Sequence, residues 1–408
     1  MAASANIASN NIHPMRSRIA VVALGAILGT LAGCAVHVPY GGFPAETRTP
    51  GATPAPGATP LQPARPLPPL PPQAGEPEHP RARWVPTAFA ELPGWREDRT
   101  LELWPALRQG CATPAPRWAA VCGEALRYTP RDDADARRWL EQRLAVFRLE
   151  SAEGETTGLA TGYFEPLVEA RRKPGGAFRT PLWGTPAGYV PHKPTWTRQE
   201  LDTLPEAQAS VRGREIAWVA DPLDALVLQV QGSGRVHVVE PDGKGHVVRL
   251  SYAGSNEEPY KSIGRYLVDQ GELRLTDASW PGIKDWVRRN PARLQELLWA
   301  NPRVIWLKEI ALPDASVGPN GGQGVPLTPG RSIAVDPAAV PYGSVVWLDT
   351  TAPLSARALQ RVVMAQDTGN AIVGPVRADF FWGWGEDAEA QAGRMKQPLR
   401  MWVLWPRT

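Results

Sequence analysis

Ser344-Val345-Val346-Trp347-Leu348, Arg361-Val362-Val363-Met364-Ala365 and Leu399-Arg400-Met401-Trp402-Val403-Leu404-Trp405 are short apolar runs rich in β-branched and aromatic side chains. That composition packs well on a pleated, buried surface. Arg303 to Lys308 and Ser332 to Val335 are of the same kind, and Gly and Pro turns separate the runs. Several short strands with such punctuation predict a closed β-barrel in the C-terminal part. Upstream, Glu215–Ala220, Ala225–Gln231, Arg235–Glu240 and His246–Tyr252 alternate around Gly232-Ser233-Gly234 and Pro241-Asp242-Gly243, which reads as antiparallel hairpins. Apolar residues at helical spacing predict a helix over Asp135–Leu149. Further helices are expected over Tyr260–Gln270 (with Pro259 in its first turn), Trp280–Arg289 and Ala292–Trp299. Mixed, then β, then α, then β segments describe either one domain inserted into another or two domains in sequence.

The composition bounds the function. The chain has 408 residues, 43% apolar and 21% charged, with Lys+Arg 44 against Asp+Glu 41. A net +3 gives no support to a nucleic-acid footprint, which needs a clustered basic excess. One apolar run near the N-terminus excludes a polytopic membrane protein. Pro 44 and Trp 17 are both high; the first predicts a linker. The second hints at a surface that stacks on ring-shaped partners, with buried tryptophan as the commoner explanation.

Arg16 and Arg18 precede the run Ile19–Leu31, which leads into Leu31-Ala32-Gly33-Cys34. A basic flank, a short apolar core and small residues make a secretory signal over 1–33, and Met15 opens it more typically than Met1. Cys34 after Leu-Ala-Gly resembles the bacterial lipoprotein processing site, where the cysteine is lipidated. Ala35 in place of Asp points to the outer membrane, periplasmic face. Residues 34–80 then read as the lipidated cysteine and a Pro-rich tether; at about 3.1 Å per residue, roughly 40 such residues reach on the order of 100 Å. Cys111 and Cys122 remain, a candidate disulfide in an oxidising compartment or else two buried thiols. The six His are scattered and no His/Cys cluster has metal-ligand spacing.

Asp336, Asp349, Asp367 and Asp379 are expected at strand ends or turns. Asp379 precedes Phe380-Phe381-Trp382-Gly383-Trp384-Gly385, and a carboxyl against apolar rings holds its proton more tightly, as a general acid requires. The plain alternative for all of them is a turn or capping role. Gly232-Ser233-Gly234 lacks the spacing of a nucleophile elbow. The glycine-rich Gly318–Gly324 lacks the Lys-Ser/Thr of a phosphate loop; both read as turns.

Thr161-Gly162-Tyr163-Phe164-Glu165-Pro166, Val230-Gln231-Gly232-Ser233-Gly234, Tyr252-Ala253-Gly254-Ser255-Asn256 with Tyr260-Lys261-Ser262-Ile263-Gly264-Arg265, Val325-Pro326-Leu327-Thr328 with Gly330–Asp336, and Gln366-Asp367-Thr368-Gly369 with Ala371-Ile372, Gly374 and Asp379 resemble, in order, the membrane-bound lytic murein transglycosylase A family. The resemblance covers about residues 85–405. It implies a mainly β fold: a double-psi β-barrel over 81–165 plus 310–408, with a smaller β-rich domain carrying some helices inserted at 166–309 and a substrate groove between them. It implies a lytic exotransglycosylase, a carbon–oxygen lyase acting on peptidoglycan glycan strands, although the residues themselves leave open cutting from ends or internally. The β-1,4 bond between N-acetylmuramic acid and N-acetylglucosamine would be cleaved without water, leaving 1,6-anhydro-muramyl ends.

By the same resemblance Asp336, Asp367 and Asp379 are the family's three aspartates, with Asp379 as the acid and the other two orienting the site. The interval from Asp367 to Asp379, with Pro375-Val376-Arg377, is one residue longer than the family pattern. Tyr163, Gln231, Ser233, Tyr252, Asn256, Tyr260 and Lys261 are the candidate sugar contacts, and Glu165 is the rival acid. No cofactor or metal is implied. The partners implied are peptidoglycan, the outer membrane through the lipid anchor, and cell-wall synthase or scaffold proteins, with no nucleic acid. Two other readings are a non-catalytic glycan-binding lipoprotein and a hydrolase using Asp367 as second carboxylate.

Overall fold

The computed structural model describes residues 81–355 and 357–407; the signal segment, Cys34 and the tether lie outside them. Fourteen strands follow in chain order: β1 (Arg83–Thr87), β2 (Leu144–Glu150), β3 (Gly158–Glu165), β4 (Leu167–Arg171), β5 (Thr180–Trp183), β6 (Glu215–Val219), β7 (Ser233–Val239), β8 (Gly245–Ser255), β9 (Ile305–Ala311), β10 (Ser332–Ala334), β11 (Val345–Thr351), β12 (Ala358–Asp367), β13 (Arg377–Trp384) and β14 (Lys396–Pro406). They form two sheets. The larger runs β1-β2-β14-β11-β12-β10-β13-β3, and β3 also pairs with β14. The strands from β14 round to β3 therefore close into a barrel, with parallel pairs β10–β12 and β13–β3. The smaller sheet, β5-β6-β4-β7-β8-β9, is drawn wholly from 167–311. The architecture is mainly β, a barrel-like sheet with an inserted smaller domain.

The apolar runs quoted above become β11, β12 and β14. Val345, Val346, Trp347 and Leu348 are all buried, so this strand is covered on both faces rather than alternating. One face meets the barrel interior. The other meets an N-terminal helical layer, where Trp95 sits edge-on to Trp347 at 5.1 Å. Much of the tryptophan falls to the plain explanation: Trp95, Trp104, Trp118, Trp139, Trp347, Trp402 and Trp405 are buried in this core, and Trp286 and Trp306 are buried in the insert. Cys111 and Cys122 are joined by a disulfide, which ties helix Trp104–Gly110 to helix Ala119–Arg127.

Several elements differ from the sequence reading. The helix expected over Asp135–Leu149 spans Asp133–Arg143, with Asp132 capping it by accepting from the Asp135 N–H. From Leu144 the chain alternates as β2 and pairs with β14, because Leu144-Ala-Val-Phe-Arg-Leu suits period two as well as period 3.6. Ala225–Gln231, expected as a strand, belongs to helix Pro222–Gln231. Asp221 caps it, Pro222 sits in its first turn and Gly232 ends it with φ +77°, a left-handed conformation glycine adopts without penalty. A continuous buried apolar run carries no period by which to tell helix from strand. The helix expected from Tyr260 starts at Ile263, capped by Ser262. Asp349 and Asp379 lie within β11 and β13 rather than at strand ends.

Two clusters stand out among the contacts between insert and barrel. Phe164, Val227, Ala388 and Ala392 form a small apolar cluster between them. Beside it, fully buried Glu165 at the end of β3 accepts from Arg235 Nε at 2.9 Å and from Arg249 Nε. Those arginines stand on β7 and β8 and also donate to the Ala315 and Val317 carbonyls of the returning chain. Arg235 in turn lies over the Trp384 ring at 3.7 Å.

Candidate active site

The three-residue strand β10 organises the acids. Ala334 pairs with Asp379 on β13 and with Asp367 on β12, so both carboxylates flank one short strand. On its other side Asp379 pairs with Thr161 of β3. The Thr161 hydroxyl donates to Asp379 Oδ1 at 2.6 Å, and Arg377 Nη2 donates to that same hydroxyl oxygen at 2.9 Å. Arg377, Thr161 and Asp379 therefore form a directed chain.

Desolvation pushes the Asp379 carboxyl up to about 6; the Thr161 hydrogen bond and the Arg377 charge oppose this, and the charge of Asp367 adds to it. Burial also raises Asp367, but the Thr368 N–H, the Tyr163 hydroxyl and the Gly322 N–H all stabilise its anion. Gly322 and Thr368 donate to Oδ1 at 2.8 and 2.9 Å, and Tyr163 to Oδ2 at 2.9 Å. The neighbouring Gly321 explains why the loop must be glycine here: a Cβ would fall 2.4 Å from the Gln366 carbonyl oxygen. Burial beside Asp367 holds the Tyr163 phenol well above its usual range.

Asp336 is arranged differently. Burial pushes its carboxyl up, but donors from Gly374 N–H, Arg81 and Ala338 N–H outweigh this and the net shift is downward. Those bonds are 2.9, 3.0 and 3.0 Å. Asp336 is 4% exposed and does not line the groove. It fixes the loop between Asp367 and Asp379 through Gly374.

The groove consists of two cavities that meet at Tyr163, Gln231, Tyr260, Asp367 and Asp379, of about 390 Å³ and 720 Å³. The larger lies in the range of ligand sites. Among the described residues no group of His, Cys, Asp or Glu is clustered as a metal would require.

Residues 159–308 match the MltA specific insert domain and residues 331–405 match the 3D domain. The membrane-bound lytic murein transglycosylase A of Vibrio cholerae is 33% identical over 272 residues, 64% of this chain and 70% of that protein. The chain belongs to this family. Among solved structures, the lytic transglycosylase LtgG of Burkholderia pseudomallei is 44% identical with a TM-score of 0.57, over 80% of this chain and 96% of that one. MltA from Neisseria gonorrhoeae is 29% identical with a TM-score of 0.66, over 80% and 93%.

The candidate sugar contacts of this family member divide. Tyr163, Gln231 and Tyr260 line both cavities, and Ser233 and Tyr252 line the larger. Gln231 Oε1 also accepts from the Phe164 N–H at 3.1 Å, docking the end of its helix on β3. Asn256 and Lys261 line neither cavity. Asn256 is fully buried and braces three chain segments, donating to the Trp196 and Pro302 carbonyls and accepting from Val304 N–H. The Lys261 backbone N–H donates to Asn301 Oδ1. Glu165, the rival acid, is fully buried between two arginines and lines neither cavity. Thr161, Arg377 and Gly322 acquire roles that no local motif announced. Thr161 lies 218 residues from Asp379, and only the barrel's closure brings them together.

Proposed function

We propose that the protein is a lytic transglycosylase that cleaves the β-1,4 bond between N-acetylmuramic acid and N-acetylglucosamine in peptidoglycan, with Asp379 as the single acid and base. The observation that carries this reading is the proton affinity of Asp379, raised to about 6 at the junction of the two cavities. A carboxyl of that affinity is well placed to donate a proton near neutral pH. It would pass its proton to the glycosidic oxygen as the C1–O bond breaks and the N-acetylglucosamine leaves. The muramyl C6 hydroxyl, already tethered beside C1, then bonds to C1 and gives its proton to the Asp379 carboxylate. The acid is restored, no water is consumed, and much of the entropic cost is met by the tether. When ionised, Asp367 opposes ionisation of Asp379 and would favour the positive charge that develops at C1.

A hydrolytic route would need Asp367 to activate water. Both lone-pair directions of its Oδ1 and one of Oδ2 are already taken by Gly322, Thr368 and Tyr163, which argues for the route without water. Asp336 serves as a positioning residue for the 368–376 loop. Tyr163, Gln231, Ser233, Tyr252 and Tyr260 would contact the strand. Catalysis would belong to the barrel of 81–165 plus 310–408, with the 166–309 insert forming the opposite wall. Relatives are named membrane-bound, and no helix among the described residues is long and apolar enough to cross a membrane. Lipidation at Cys34, with anchoring on the periplasmic face of the outer membrane, would supply that attachment.

Mass spectrometry of muropeptides released from purified peptidoglycan tests the reaction. Products one water lighter than reducing-end muropeptides are expected, and Asp379→Ala is expected to abolish them while sacculus binding persists. Reducing ends of full mass would overturn the ring-closing mechanism, and an active Asp379→Ala would overturn the assignment of the acid.

A further inference from the structure

The groove is chemically uneven about Asp379. The smaller cavity runs past Ile263, Trp280, Ile283 and Ala392, and its cation is the Arg377 already engaged with Thr161. The larger runs past Arg249, Arg303 and Lys308, with Asn320 and Asn370 beside them. Among the described residues its only acids are Asp367 and Asp379, at the junction. Arg249 is neutralised by buried Glu165. The other two cations are not neutralised. Lys308 is exposed on β9 and makes no ion pair among the described residues. Arg303 is held by neutral groups alone: Nη1 donates to the Glu258 carbonyl at 2.7 Å, and the Asn370 side-chain oxygen, turned towards it, accepts from Nη2 at 2.9 Å and Nη1 at 3.2 Å. A guanidinium fixed by a carbonyl from the insert and an amide from the barrel keeps its full positive charge in the groove wall. A planar fork so placed suits a carboxylate.

We infer that the larger half of the groove recognises the anionic stem peptide of the muramyl unit, with Arg303 and Lys308 as specificity-determining residues. This rests on the reading of the groove as a peptidoglycan site. The glycan backbone of such a strand offers hydroxyls, acetamides and ring faces, which tyrosine, glutamine and serine satisfy. The stem peptide adds free carboxylates, and Arg303 and Lys308 are the uncompensated cations in the groove lining that could receive them.

Binding to full-length Asp379→Asn protein in detergent tests this without turnover. The probe is an N-acetylglucosamine–N-acetylmuramic acid tetrasaccharide bearing stem tripeptides with free carboxylates, compared with the same compound whose carboxylates are amidated. The free-acid probe should bind about fivefold to tenfold more tightly. That preference should shrink between about 0.01 M and 1 M salt, as the Debye length falls from about 30 Å to about 3 Å. Adding Arg303→Met and Lys308→Met together should bring the ratio of affinities below about twofold, and exposed Lys308→Met alone should lower it part-way. Equal affinity for the two probes, or a preference that survives the double substitution, overturns the inference while the transglycosylase reading stands. Failure to bind either probe, with no anhydro product from wild-type protein, overturns the reading itself and the inference with it.

Discussion

Substituting Asp379→Asn should make the protein more stable at pH 8 than at pH 4, relative to wild type. The Asp379 carboxyl titrates near about 6 in the folded chain against an ordinary 3.8. Between those values the folded state binds more protons than the unfolded state. Stability therefore falls as pH rises through that window. Below about pH 4 both states are protonated and the group contributes nothing; above about pH 6 the full penalty applies. Roughly two pKa units at 1.36 kcal/mol each give about 3 kcal/mol, and the partial exposure of Asp379 to the groove reduces this to about 2 kcal/mol. Asparagine keeps an oxygen to accept from Thr161 and cannot ionise, so it should recover that amount at pH 8 and almost none at pH 4. For a folded part of this size the gain corresponds to a rise in Tm of about 3 °C. Thermal and urea unfolding of both proteins at the two pH values measure it. A variant equally stabilised at both values, or destabilised at pH 8, would refute the claim that Asp379 is held in an environment hostile to its anion.

Other outcomes follow from the same contacts. Thr161→Val removes a hydrogen bond that favours the Asp379 anion; the alkaline limb of kcat/KM should move up by about one pH unit, since bonds to charged groups are worth about 1.5–3 kcal/mol. An unmoved limb, read from a pH–rate profile, would remove Thr161 from the acid's environment. Glu165→Gln leaves Arg235 and Arg249 buried without their carboxylate and should cost about 3–5 kcal/mol in urea unfolding. A loss below about 1 kcal/mol would show that the cluster relaxes. Reducing the Cys111–Cys122 bridge, which spans 11 residues, should cost about 2–3 kcal/mol, seen as a lower Tm with dithiothreitol that Cys122→Ser reproduces.

The barrel was legible because its central strands are apolar runs bounded by Gly and Pro, and a buried strand needs little else to declare itself. The insert was less so. Pro222–Gln231 is buried on nearly every side, so its periodicity vanished, and only Asp221-Pro222 and Gly232 marked its ends. Asp379 could be singled out because its aromatic neighbours are adjacent in sequence. Glu165 looked like a rival because its arginines, 70 and 84 residues away, are invisible locally. Asn256 and Lys261 sit in the same motif blocks as Tyr252 and Tyr260, yet the Asn256 side chain is spent on the Trp196 and Pro302 carbonyls and Lys261 lines neither cavity. Membership of a motif places a residue near a site without saying which way it faces.

The two groove acids differ through register more than through their neighbours in sequence. Both face Ala334, but Asp367 ends its strand where the Gly322 and Thr368 backbone N–H groups and the Tyr163 hydroxyl converge, whereas Asp379 lies inside β13 and accepts from the Thr161 hydroxyl. One carboxylate is therefore solvated by the protein, and the other is left short of donors and holds its proton. A one-residue slip of β13 against β10 would turn Asp379 to the opposite face, exchanging the groove for the barrel interior. The irregularity between Ile333 and Ala334 in the β10–β12 pairing sets where Ala334 stands between the acids. Substitutions that disturb β10 should therefore cost activity by re-aiming Asp379, even where the barrel itself survives.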